Sequence, residues 1–174
     1  LSGTIGPHAG DLLIVVTPGT DDGTLYPRIR DFRTGDRPTY IIDYPEAIGP
    51  FIAGRSGAAL PFLAPTYDKS RDVAVAKNMT AMRAFATQQG ENPFVVYTGY
   101  SQGAEALGNA AEQAVAGNGD GTAVDADRSH IMLISDPRSP WGLKAWAADH
   151  PAIGGLMGLF GAESNGARDP GATG

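Results

Sequence analysis

The sequence contains no cysteine and only three histidines, and no apolar run in it is long enough to cross a membrane. Without cysteine there is no disulfide framework and no thiol nucleophile, although export is not excluded. Basic residues are the minority, 13 against 19 acidic ones, for a net charge of −6. No Lys/Arg cluster stands out, which argues against a nucleic-acid partner. Metal ligands are equally sparse. Asp21 and Asp22 are adjacent carboxylates, but nothing else supplies ligands at a useful spacing, so they read as a solvated turn. The loop 117–121, Gly-Asn-Gly-Asp-Gly, lacks the carboxylate spacing of a calcium loop. No metal and no other cofactor is expected. The chain opens at Leu1 rather than Met, as a cleaved signal peptide or a trimmed N-terminus would leave it.

What is present is enough for one domain over 1–174 with a substantial core. Residues 11–17 form a near-continuous apolar run closed by Pro18-Gly19-Thr20, the pattern of a strand buried on both faces. A second strand is predicted over 39–44, closed by Pro45, and residues 46–67 read as a compact irregular connection broken by proline and glycine. A helix follows, capped by Asp68 or Ser70, with Val75, Met79, Met82 and Ala86 at helical spacing and Gly90 at its end. Then come a strand near 94–98, a helix over 102–115, a strand over 130–135 and a short helix between Trp141 and Trp146. Residues 151–174 are glycine-rich and carry no clear strand. Alternation of this kind predicts an α/β fold, an open and mostly parallel sheet with helices on both faces.

One segment says more than the rest. Phe94-Val95-Val96-Tyr97-Thr98 is a short apolar, β-branched run that stops at Gly99-Tyr100-Ser101-Gln102-Gly103, and an alanine-rich helical stretch begins at once. This is the nucleophile-elbow pattern G-x-S-x-G in its strand–turn–helix context. The turn lifts the serine hydroxyl above the sheet edge and brings strand and helix so close that only glycine fits two residues before and after it. The first amides of the helix point to the same spot. In a chain with 24 glycines the five-residue pattern alone could be a structural turn; its flanks make Ser101 the candidate nucleophile.

Sites in open α/β sheets lie at the carboxyl ends of the strands. That rule selects residues 17–20, 99–103 and 135–142. An acyl-transfer enzyme needs an oxyanion donor in the first of these, opposite the amide of the residue after the nucleophile. The candidates are Thr20 and Gln102, with an ordinary strand-to-loop turn as the alternative for Thr20.

Five stretches in the same order resemble the PE-PPE domain of mycobacteria and related actinobacteria, a cutinase-like serine α/β-hydrolase. Val16-Thr17-Pro18-Gly19-Thr20 is similar to its first strand and oxyanion loop. Tyr44-Pro45-Glu46-Ala47-Ile48-Gly49-Pro50-Phe51 is similar to its Tyr-Pro segment, followed by Tyr67-Asp68-Lys69-Ser70 at the next helix. Gly99 to Ala104 is the elbow, and Ser135-Asp136-Pro137-Arg138-Ser139-Pro140-Trp141-Gly142 is similar to the loop after the next strand. Many elbows of the family have serine where Gly103 stands. The likeness covers about residues 11–166. It implies an exported or cell-envelope-associated esterase, acyl hydrolase or acyltransferase acting on ester-linked, lipid-like acyl chains, with Ser101 as nucleophile. It also implies that the catalytic acid and histidine follow the serine, near or beyond Gly174, so that the C-terminal part of the fold is absent from this chain.

A serine needs a base at neutral pH. Within the chain His8 precedes every element, His130 opens a strand at the wrong end, and His150 lies just past a helix. Asp136 sits at the correct sheet edge, as a triad acid or as a common Asp-Pro turn. Three readings follow: a hydrolase completed beyond this sequence, a hydrolase completed by Asp136 and His150, or a hydrolase-like binding module of the cell envelope that has lost its chemistry. Two apolar stretches broken by glycine and proline, 51–63 and 153–160, read either as core filling or as an acyl-binding rim near the active edge.

Overall fold

Strand β1, Leu12–Thr17, owes its position to having no polar face: Leu12, Ile14 and Val16 point to one side of the sheet, Val15 to the other, and all four are buried. The computed structural model describes residues 12–22, 39–86, 94–115, 124, 128–150, 154–155, 157–158, 161–162 and 166–168. In chain order these hold β1, β2 (Thr39–Ile41), a 3-10 turn at Pro61–Leu63, α1 (Tyr67–Ala86), β3 (Phe94–Tyr100), α2 (Gln102–Val115), β4 (Ser129–Ile134) and α3 (Leu143–Ala148). Gly90, the loop 117–121, His8, Ile153, Leu156, Leu159 and Phe160, for which the sequence raises expectations, lie outside the described residues.

The four strands are all parallel, in the order β2-β1-β3-β4. The fold is α/β, as the alternating pattern predicts. β1 and β3 run side by side for six residue pairs, from Leu12↔Phe94 to Thr17↔Gly99. From β1 the chain moves outward to β2, and from β3 it moves outward the other way to β4. The pair β1/β3 is therefore a topological switch point, where the loops leaving adjacent strands diverge and open a crevice.

Helices α1 and α2 share the face that carries Val15, Val95 and Tyr97. Ala104, Ala106, Ala110 and Ala111 of α2 are fully buried, and their small side chains let the helix lie close to α1 and to the sheet. Leu107 fills the remaining space, a burial that contributes about 1.5–3 kcal/mol. The other face holds a second apolar cluster, Leu12, Ile14, Val16, Phe94 and Val96.

Three local expectations need correction. The second strand pairs over only three residues. Ile42 donates one more bond to Val16 O, and the chain then leaves the sheet because Tyr44 is pulled to the β1 loop, its hydroxyl donating to Pro18 O at 2.6 Å. The start of α1 is earlier than Asp68 or Ser70: Ser70 N–H donates to Thr66 O, and the Ser70 hydroxyl is buried in tertiary bonds. Asp68 instead pairs with Arg71 at 2.6 Å. Val75 and Met82 enter the core as the spacing predicts, but Ala86, the last residue of the described helix, is exposed.

Candidate active site

Residues of the elbow are fixed by sterics before any chemistry is considered. Ser101 has φ 52°, in the left-handed region that a non-glycine residue rarely occupies. Its N–H donates to Ile134 O of β4 at 3.0 Å, and its carbonyl accepts the Glu105 N–H at 3.1 Å to open α2. A Cβ at Gly99 would lie 2.6 Å from Gly103 O, and one at Gly103 would lie 2.2 Å from the carbonyl oxygens of both Thr17 and Pro18. Strand, helix and β1 loop thus meet around the serine with no room for a side chain at either glycine, as the motif predicts.

All three candidate loop segments reach one cavity of about 670 Å³, lined among others by Thr20, Ser101, Ser135, Asp136, Trp141, Leu143 and Met157. Ile48, Tyr67, Lys144 and Ala162 also line it. The β1 loop is close enough to the elbow that a Cβ on Gly19 would lie 3.4 Å from Ser101 Cβ. Gln102 turns its side chain away, donating from Nε2 to Ala47 O at 3.1 Å and Tyr67 O at 3.3 Å. Among the described residues no backbone hydrogen bond uses the Gln102 amide.

Beneath this cavity lies an ionic cluster that single-sequence reading does not find. Glu105, wholly buried, accepts from Lys144 Nζ at 2.7 Å, Arg71 at 3.1 Å and Tyr67 Oη at 2.7 Å. Lys144 is also buried, 3.8 Å from Asp68 and 5.0 Å above the Tyr67 ring. Burial, then the Glu105 charge, pushes the Tyr67 phenol well above its usual range, so it donates rather than ionises. These residues come from α1, α2 and α3, and no spacing in the sequence links them. Ser135, the first residue of the 135–142 segment, has φ 55° and lines the cavity directly after β4.

Asp136 is buried and committed elsewhere. Its Oδ2 accepts from Arg168 Nε at 2.9 Å and its Oδ1 from the Arg138 N–H at 3.0 Å. Arg168 continues to Asn109 at 3.1 Å and Glu112 at 3.0 Å, and a Cβ at Gly108 would lie 2.3 Å from its guanidinium carbon. Arg168 therefore ties Asp136, and with it the loop after β4, to α2. His150 is exposed; its Nδ1 lies 2.8 Å from Trp146 O and its ring stacks on Trp146 at 4.6 Å. His130 is the second residue of β4, at the amino end of the strand. Neither of these histidines lines the cavity. Phe51, Leu60, Phe62 and Leu63 are exposed rather than core-filling, and Met157 is the described residue of the second apolar stretch that lines the cavity. Among the described residues no group of three or more His, Asp or Glu side chains is arranged to hold a metal ion, and no helix is long and apolar enough to cross a membrane.

No family model matches the chain. No curated protein matches it either. A solved structure similar to it is an iodinated complex of an acetyl xylan esterase, at 18% identity and a TM-score of 0.46, covering 78% of this chain and 67% of that one.

Proposed function

We propose that the chain is a serine esterase or acyl hydrolase acting on ester-linked acyl chains, with Ser101 as the nucleophile. The observation that carries this reading is the serine itself. It stands at φ 52° between two glycines that admit no Cβ, at the switch point of a parallel sheet and on the wall of a cavity shared with Thr20. Such strain persists where the surroundings impose it, and it concentrates at functional sites.

In the proposed reaction Ser101 Oγ attacks the ester carbonyl carbon while a histidine base takes its proton. The carbonyl oxygen becomes an oxyanion stabilised by the Gln102 amide and by Thr20. Collapse breaks the ester C–O bond, the departing alkoxide takes the proton, and the acyl group remains on Ser101. Water then releases the acid, or an alcohol accepts the acyl group in an acyltransferase. That neither His130 nor His150 lines the cavity supports a base that lies with the acid near or beyond Gly174, as the resemblance to the PE-PPE domain implies. Export to the cell envelope is carried over from the same resemblance. Ile48, Trp141, Leu143 and Met157 make the cavity wall apolar, which suits an acyl chain.

A second reading is a hydrolase-like binding module without catalysis. The pairing of Asp136 with Arg168 and the stacking of His150 on Trp146 favour it, since both in-chain triad candidates are otherwise engaged. Hydrolysis of p-nitrophenyl esters by the full-length protein separates the two. An enzyme cleaves them, prefers acyl chains of several carbons because each buried methylene contributes up to about 0.8 kcal/mol, and loses turnover in Ser101→Ala. A folded protein that binds acyl chains but hydrolyses none supports the module.

A further inference from the structure

The loop that carries Thr20 is held by a carboxyl group that the reaction itself does not use. Glu46 is fully buried, yet it lies in the irregular segment after β2 rather than in an element of the core. Its Oε2 accepts the Asp22 N–H at 2.8 Å and its backbone carbonyl accepts the Asp21 N–H at 3.0 Å. Asp21 and Glu46 both have left-handed backbones, φ 49° and 50°. Two non-glycine residues in that region, bonded to each other, mark a clamp that the surroundings over-determine. The second oxygen, Oε1, is buried with no hydrogen-bond partner among the described residues. A buried carboxyl left half-satisfied is costly.

The next residue holds the other side of the site. Ala47 O accepts from Gln102 Nε2 at 3.1 Å, and Ala47 N–H donates to Ser70 Oγ at 3.0 Å, which in turn donates to Gln102 Oε1 at 3.3 Å. Tyr44 adds the bond to Pro18 O at 2.6 Å. Residues 44–47 thus bridge the β1 loop and the first residue of α2, the two places from which oxyanion donors would come.

We propose that Glu46 is a positioning residue for the oxyanion hole: through the Asp22 and Asp21 amides it fixes the Thr20 loop relative to Gln102. This rests on the reading of Ser101 as nucleophile. The test compares Glu46→Gln and Glu46→Ala in the full-length protein, with Ser101→Ala beside them. Gln keeps an oxygen acceptor for the Asp22 amide; Ala removes it. Glu46→Ala should lower kcat on p-nitrophenyl butyrate by about tenfold or more, short of the roughly 10²–10³ lost with an entire donor, while KM stays within about twofold. Glu46→Gln should restore most of the turnover. Amide hydrogen exchange at Asp21 and Asp22 reads the clamp independently of turnover: protected in wild type and Glu46→Gln, accelerated in Glu46→Ala. Unchanged kcat or unchanged exchange in Glu46→Ala overturns the inference, as does an equal loss in both variants. If Ser101→Ala keeps full activity, the nucleophile reading fails instead, and the exchange data alone then decide whether the clamp exists.

Discussion

The two walls that face each other across Ser101 are held by different physics. The wall of residues 17–22 and the elbow is built mainly from backbone: glycines without space for a Cβ, a left-handed serine, and main-chain bonds from Ser101 to β4 and α2, with the Glu46 carboxyl on the Asp22 amide added to them. The wall of residues 135–144 is built from charge, with Lys144 on Glu105 and Asp136 on Arg168, all buried. Steric construction fixes one geometry and tolerates no change. Electrostatic construction depends on pairs, each costly to desolvate and each harmful when broken from one side. The first kind suits the atoms that would react, and the second holds a cavity wall against the helices behind it.

The largest effect expected from this contrast is at Gly99. Its added Cβ would meet Gly103 O at 2.6 Å and Ala104 Cα at 2.8 Å, both backbone atoms. Gly99→Val should therefore fall in the exceptional class that costs more than about 4 kcal/mol, and denaturant unfolding or failure to obtain folded protein would show it. A valine tolerated there with little loss would break the steric account of the first wall.

A smaller loss is expected at Lys144. Lys144→Ala leaves the buried Glu105 carboxylate with Arg71 as its remaining cation and should cost up to about 3–5 kcal/mol. The ion pair of Arg55 with Asp43, 3.4 Å apart and open to solvent, provides the scale, since exposed pairs contribute about 0–1 kcal/mol. Thermal unfolding of Lys144→Ala and Arg55→Ala side by side sharpens the comparison. Equal and small losses would mean that the second wall is not held by charge.

The same contrast explains what was legible. Local, backbone-encoded features can be read from neighbouring residues: the β-branched runs of β1 and β3, the elbow glycines, and α2 from Gln102 to Val115. Thr20 could be placed because it follows a buried strand, and the parallel order brings that strand against β3. Glu105, Lys144, Tyr67 and Glu46 could not, because their partners lie 24 to 39 residues away and each alone looks like a surface polar group. Asp136 illustrates the limit from the other side. The sequence puts it at the correct sheet edge, but its pairing with Arg168, 32 residues on, decides what it does.

The central claim, that Ser101 is an activated nucleophile, is tested most directly by its covalent reaction with a fluorophosphonate probe. Mass spectrometry of the full-length protein should locate a single phosphonyl adduct on the peptide containing Ser101, and Ser101→Ala should remove it. A folded protein whose Ser101 stays unmodified under conditions that label serine esterases, or whose labelling survives Ser101→Ala, would contradict the account.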